Sequence, residues 1–274
     1  MDTPANVETD AVSVRSPLLV LAGLLVPVLV VAFGLLYLFP DSGAELFAWP
    51  INPLMSSMML GATYLGGAYF FVVVLLSRQW RHVWLGFLPI TAFAGTLGIA
   101  TLLHWDRFAH DRWAFSVWTL LYFSVPLLLP LLWYRNQQQT AESGMDREGR
   151  LPQESRWAFG LLGGVLTVAA VLLLAVPDVM IAAWPWTLTP LTARVMAAMF
   201  ILPGLVGLSI AYDGGWSSAG YLLQAQAISI LLMLAAVYVA RDDFDWAHAA
   251  SWLFTGGMSL ILLLIGYTIL ARRS

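Results

Sequence analysis

Eight stretches of this chain run for about 20 residues with almost no ionisable side chain, the length a helix needs to cross a hydrocarbon core. They cover residues 17–39, 53–76, 84–103, 113–133, 157–176, 190–212, 218–240 and 248–271. Seven contain no Asp, Glu, Lys or Arg, and the sixth contains a single one, Arg194. The strict alternation of a membrane barrel is missing, so helices are what satisfies the backbone in lipid. The expected fold is all-α: a polytopic helical membrane protein with eight transmembrane helices. Composition agrees, since 60% of the 274 residues are hydrophobic and only 11% charged, against about a quarter charged in a soluble domain.

Several classes drop out at this level. The chain has no Cys, which excludes disulfides, thiolate metal sites and cysteine nucleophiles. Its net charge is −3, with no dense basic patch, so nucleic acid is not an expected partner and the lipid bilayer is. The start is acidic (Asp2, Glu8, Asp10) and the first apolar run is long, unlike a cleavable signal peptide, so the first span is expected to be retained.

The connecting segments predict orientation. With eight spans, Arg15, Arg78, Arg81, Arg135, Arg147, Arg150, Arg156, Arg272 and Arg273 fall on one side, against Arg107, Arg112 and Arg241 on the other. This bias places both termini in the cytoplasm. Asp41, Glu45, Asp106, Asp111, Asp178, Asp242, Asp243 and Asp245 then lie outside.

The chain also reads as two similar halves. Trp49-Pro50-Ile51-Asn52-Pro53-Leu54 is echoed by Trp184-Pro185-Trp186-Thr187-Leu188-Thr189-Pro190-Leu191. Each ends in the chemistry of a helix start, with Asn52 or Thr189 as cap and Pro53 or Pro190 at the first helical position. Trp49 pairs with Trp186 at a separation of 137, Asp106-Arg107-Phe108 with Asp242-Asp243-Phe244 at 136, and Trp118 with Trp252 at 134. The segment 134–156, with Gln137-Gln138-Gln139 and mixed charges, reads as a flexible linker. The expected organisation is a tail at 1–16, a four-helix half at 17–133, the linker, and a second half at 157–274. An even number of spans per half gives a 4+4 internal repeat in the same orientation, with a pseudo-two-fold axis along the membrane normal.

Small residues at Ser57/Gly61, Thr63/Gly67 and Gly160/Gly164 mark expected helix contacts, and Pro27, Pro126, Pro130 and Pro203 expected kinks. Trp49, Trp80, Trp84, Trp105, Trp113, Trp133, Trp157, Trp184, Trp186, Trp216 and Trp246 fall near span ends, as an interfacial belt requires. Trp118 and Trp252 lie deeper and are expected to pack the core of each half.

Three passages carry a resemblance: Trp184-Pro185-Trp186-Thr187-Leu188-Thr189-Pro190-Leu191-Thr192-Ala193-Arg194-Val195, His104-Trp105-Asp106-Arg107-Phe108, and Phe47-Ala48-Trp49-Pro50-Ile51. Together they resemble an uncharacterised family of eight-span bacterial integral membrane proteins, over nearly the whole chain. The resemblance implies topology and no catalytic or binding residue. Where those proteins often read Pro-Pro-Leu or Pro-Pro-Met, this chain has Asn52-Pro53-Leu54.

Candidate chemistry is sparse. Arg194 sits one turn inside the sixth span, where the first half has Ser57. A guanidinium at that depth snorkels, pairs with Asp106, Asp178 or Asp242, or binds an anion near the positive helix end. Gln224 and Gln226 place amides inside the seventh span on different faces, one to line a path and the other to bond a neighbouring helix. His104, Asp106, His110 and Asp111 in one loop, and Asp242, Asp243, Asp245 and His248 in another, have the ligand types of a metal site but no metal spacing, and a solvated acidic helix end is the commoner explanation. No span carries a central His for haem, so no cofactor is expected. Phosphate loops, nucleophile elbows and the intramembrane acid of a proton- or sodium-coupled carrier are missing.

Three function classes follow. The first is binding or passage of a small neutral or weakly anionic solute between the halves, with Arg194, Gln224, Gln226 and Ser57 near the path. The second is a non-catalytic accessory subunit whose small-residue faces dock other membrane proteins. The third, a membrane redox subunit or enzyme, has least in the sequence to favour it.

Overall fold

The computed structural model describes residues 12–143 and 149–271. The N-terminal acids Asp2, Glu8 and Asp10, the linker residues Asp146, Arg147 and Glu148, and the C-terminal Arg272 and Arg273 lie outside the described residues.

Within them the protein is all-helical. Helix α1 (Ser16–Phe33) continues through a π-helical turn (Gly34–Leu38) into the short α2 (Pro40–Leu46). The long helices α3 (Leu54–Ser77), α4 (Trp80–Leu103), α5 (Trp113–Ser143) and α6 (Gln153–Ala175) follow. After the short α7 (Pro177–Ala182) come α8 (Pro190–Asp213), α9 (Trp216–Val239) and α10 (Ala249–Ala271). Eight of these are long and apolar enough to cross a membrane, which makes the chain a polytopic membrane protein. Helices α2 and α7 are too short for an apolar-length criterion to find. Pro27, Pro126, Pro130 and Pro203 lie inside continuous helices, as does Pro89; neighbouring helices carry the chain through them.

Helices α3, α4, α8 and α9 hold most of the buried residues, while α1, α5, α6 and α10 flank them and face outward. Each flanking helix pairs with a central one: α1 with α3, α5 with α4, α6 with α8, α10 with α9. The centre is built across the division of the chain, with α3 against α9 and α4 against α8 and α9. Because lipid gives helices no hydrophobic reason to associate, close approach and dispersion must hold them. Glycine supplies the approach. A Cβ on Gly163 would sit 2.6 Å from the Gly204 carbonyl oxygen, and one on Gly207 would sit 2.7 Å from the Phe159 carbonyl oxygen. Across the centre, a Cβ on Gly86 would strike Phe70 at 2.5 Å and Leu222 at 2.9 Å. Of the small residues marked in the sequence, Gly61 packs on Leu36 and Tyr37 and Gly160 on Ala211, whereas Gly164 faces open space.

Several local structures occur twice at the same spacing. At the terminal face, α3 ends at Arg78 and α8 at Gly214, both left-handed (φ 53° and 67°). The Val14 amide donates to the Arg78 carbonyl and the Leu151 amide to the Gly214 carbonyl. Trp80 donates to Val12, and Trp216 to Gly149. At the opposite face, Trp49 packs on Phe108 (5.1 Å between ring centroids) and Trp118 (4.8 Å), while Trp186 packs on Phe244 (5.0 Å) and Phe254 (4.9 Å). The partner of Trp118 in this pattern is thus Phe254, not Trp252. Trp252 is 64% exposed and lies on the outside of α10, which corrects its expected core role. Trp49, Trp80 and Trp186 are also corrected: they are buried in aromatic clusters and core, whereas Trp105, Trp113 and Trp157 are the exposed ones.

The α6–α8 contact yields a direct test. Gly207→Leu should cost about 3 kcal/mol through overpacking against backbone, seen as a lowered thermal midpoint in detergent. Gly164→Leu, into open space, should stay within about 0.5 kcal/mol of the parent.

Candidate functional site

At the opposite face, the second half of the chain completes a helix start of the first. Helix α3 begins after Pro53, and Asn52 is exposed and makes no cap. Its place is taken from the other half: the Met55 amide donates to Asp243 Oδ2 at 2.7 Å. Beside it, Trp186 Nε1 donates to Ser56 Oγ at 2.9 Å. The expected Asn52 cap is therefore corrected to a carboxylate from the loop before α10, placed at the positive end of α3. Helix α8 does carry the expected cap, with the Thr192 amide donating to Thr189 Oγ1 at 3.1 Å.

Arg194 makes the reciprocal link. Its Nε donates to the Leu174 carbonyl at the end of α6 (3.1 Å), and its Nη1 to His104 Nε2 at the end of α4 (2.7 Å). Arginine has only donors, so Nε2 must accept and His104 carries its proton on Nδ1. Burial, then the Arg194 guanidinium, hold the His104 pKa below its ordinary value of 6.5. Ser57, at the matching place in the first half, does the same local job: its Oγ donates to the Leu36 carbonyl at 3.0 Å. Both side chains thus tie off a carbonyl in the last turn of the preceding flanking helix, where water is scarce.

The remaining loop residues do not converge. His110 Nε2 donates to the Trp105 carbonyl (2.8 Å) and its ring stacks on Phe115. Asp106 pairs with Arg107 at 3.4 Å, Asp242 with Arg241 at 3.9 Å, and His248 with Asp245 at 2.8 Å, all at exposed positions. That last contact and the Ala247 amide hold the Asp245 carboxyl below the usual carboxylate range. Among the described residues no three His, Asp or Glu side chains gather as metal ligands.

The two glutamines separate as their spacing demands. Gln224 faces α3, where its Oε1 accepts from the Tyr69 hydroxyl; it joins the halves. Gln226 instead lines a cavity of about 310 Å³ bounded by α3, α6, α8, α9 and α10. Most of that lining is hydrocarbon: Leu166, Leu202, Ile230, Ile261 and the adaptable methionines Met59, Met199, Met233 and Met258. Gln226 and Ser229 stand one turn apart on α9 and both reach the cavity. Among the described residues neither side chain has a hydrogen-bond partner, in contrast to Gln224. Pro203 is also in the lining and has no N–H to give the Met199 carbonyl one turn earlier. The sequence singles out Gln226 as an intramembrane amide and Thr63 as a helix-contact residue, but neither Ser229 nor the cavity they share. The i,i+3 pair Gln226/Ser229 was the available signal.

Side chains occupy the seam between α3 and α9. Tyr37 donates across it to the Leu232 carbonyl at 2.7 Å, and Gly66 lies against Ser229 and the Ala225 carbonyl. Comparison with protein-family models, curated proteins and solved structures finds no match.

Two measurements check the structural role of Arg194. Arg194→Ala leaves the Leu174 carbonyl without its donor and should lower stability by about 1–2 kcal/mol, read as a lower thermal midpoint. The His104 contact adds a pH dependence. Because the folded state lowers the histidine's pKa, its contribution is complete above 6.5 and is lost as pH falls through the lower folded value. The midpoint should therefore drop between pH 7.5 and about 5. In His104→Gln, which accepts through Oε1 without titrating, that part of the drop should vanish.

Proposed function

We propose that the protein binds a small, neutral, mostly apolar molecule drawn from the bilayer, in the cavity where α3 of the first half meets the helices of the second. One observation carries this reading: Gln226 and Ser229 are unpartnered polar side chains in an otherwise hydrocarbon cavity. In a membrane interior an unsatisfied polar group costs several kcal/mol, so a structural amide would be expected to find a partner, as Gln224 has. A ligand hydroxyl or carbonyl supplies the missing bond. The volume, about 310 Å³, falls at the lower end of small-molecule sites. No charged side chain lines the cavity, which favours a neutral ligand. Arg194 and Ser57, engaged with backbone, support the bundle rather than the ligand.

On this reading the cavity sits near mid-membrane, since its lining on α6, α8 and α9 falls at the middle of those helices, and it extends along α3 and α10 toward the face away from the termini. With the arginines distributed as they are, that face is the outer one. The duplicated turns and aromatic clusters support a 4+4 architecture in which the second half supplies the unpartnered amide and hydroxyl of the cavity. Passage of a solute along the central seam has less support than binding, because Tyr37, Phe70, Leu222 and the Tyr69–Gln224 pair occupy it.

Gln226→Leu tests the assignment through two opposed readouts. Removing an unsatisfied amide should raise the thermal midpoint, while binding of n-octanol should weaken by about fivefold, the worth of one neutral hydrogen bond. A lowered midpoint with unchanged octanol binding would make Gln226 a structural residue and sink the proposal.

A further inference from the structure

The cavity has neighbours. Thr63 and Leu202, in its lining, also line a smaller void of about 60 Å³ in the middle of the bundle. Leu29, Tyr64, Leu121 and Tyr122 line that void and also a crevice of about 300 Å³ between α1, α3 and α5. The three spaces adjoin in a row, running from the α6/α10 side of the molecule to the α1/α5 side. The crevice holds the same relation to α1, α3 and α5 as the cavity does to α6, α8 and α10. It differs in chemistry, since apart from aromatic rings its lining is aliphatic and it has no amide.

The polar groups along the connection are already satisfied. Thr63 Oγ1 donates to the Met59 carbonyl at 3.0 Å, and the buried hydroxyls of Tyr64 and Tyr122 bond each other at 2.8 Å. Nothing there calls for water or a polar head, and an apolar void of this kind stays dry and accepts apolar guests. Its small size admits an unbranched chain and rejects a ring system.

Resting on the binding reading above, we infer that the ligand is a single-chain amphiphile with a neutral head, such as a long-chain alcohol or monoacylglycerol. The head bonds Gln226 and Ser229, and the hydrocarbon chain passes Thr63 and Leu202 through the void into the α1/α5 crevice. A chain leaving lipid gains nothing from the hydrophobic effect. What it gains here is dispersion contact with the lining of the three spaces along a fixed path. Affinity should therefore depend on chain length, which a head-only site would not show.

The test uses the full chain in lipid nanodiscs with tritiated n-octanol and n-hexadecanol, each affinity expressed as a mole fraction of the bilayer so that partitioning cancels. Hexadecanol should bind about tenfold tighter than octanol. Ala94 lines the void and neither larger space, so Ala94→Leu should remove that preference and leave octanol binding intact. Should this variant not fold, Gly67→Ala serves. A methyl there meets only Leu29 Cδ1, at an ordinary 3.6 Å, and narrows the void enough to reduce the preference. Equal affinity for the two alcohols in the parent, with octanol still sensitive to Gln226→Leu, overturns the chain path and leaves the cavity as a head-only site. An unchanged preference in a folded void-filling variant also overturns it. If neither alcohol binds, the cavity assignment itself falls.

Discussion

A helix that ends inside or near lipid leaves backbone carbonyls and amides that water cannot reach, and the arrangement of this protein follows from where those groups find partners. The Leu36 carbonyl takes Ser57, the Leu174 carbonyl takes Arg194, and the Met55 amide takes Asp243. At the terminal face, the Ala211 carbonyl near the end of α8 takes the Arg156 guanidinium. Most of these partners come from a different helix, and the Met55–Asp243 and Tyr37–Leu232 bonds come from the other half of the chain. Part of each half's bonding is thus completed by the other, where α3 lies against α9 and α4 against α8.

The sequence shows the spans because hydrophobic length is a property of contiguous residues. It also shows Thr189 as a cap and the doubled Trp-containing segment, again local features. It misreads what depends on crossing geometry. Trp49 and Trp186 sit at helix starts, as interfacial anchors do, yet the loops fold them inward onto Phe108 and Phe244. Asp243 looks like one more solvated acid until α3 is brought beside it. Trp118 and Trp252 share a residue type, but the packing position belongs to Phe254, 136 residues after Trp118. The cavity is the extreme case. Its lining comes from five helices, and no pattern within one of them announces it except the pair Gln226 and Ser229.

Arg194 and Gln226 differ both in how conspicuous they are in the sequence and in how their polar groups are paired. A lone charge in an apolar span attracts attention, yet its cost is met by a carbonyl and a neutral imidazole, and the result is a strut. An amide is less conspicuous, but without a partner it is the less stable arrangement. Selection for stability alone would replace it with leucine. Keeping it is easier to understand if something else completes its bonding.

The left-handed turns at Arg78 and Gly214 have one further consequence. Each is pinned by a short segment of its own half, residues 12–14 in one case and 149–151 in the other. Asn136 and Gln137, where α5 leaves the bundle, are likewise fixed to Ser13, Arg15 and Trp80 of the first half. The peptide between Ser143 and Gly149 therefore joins two ends that are already anchored separately. The two turns are thus each held by their own half, independently of the peptide that joins them.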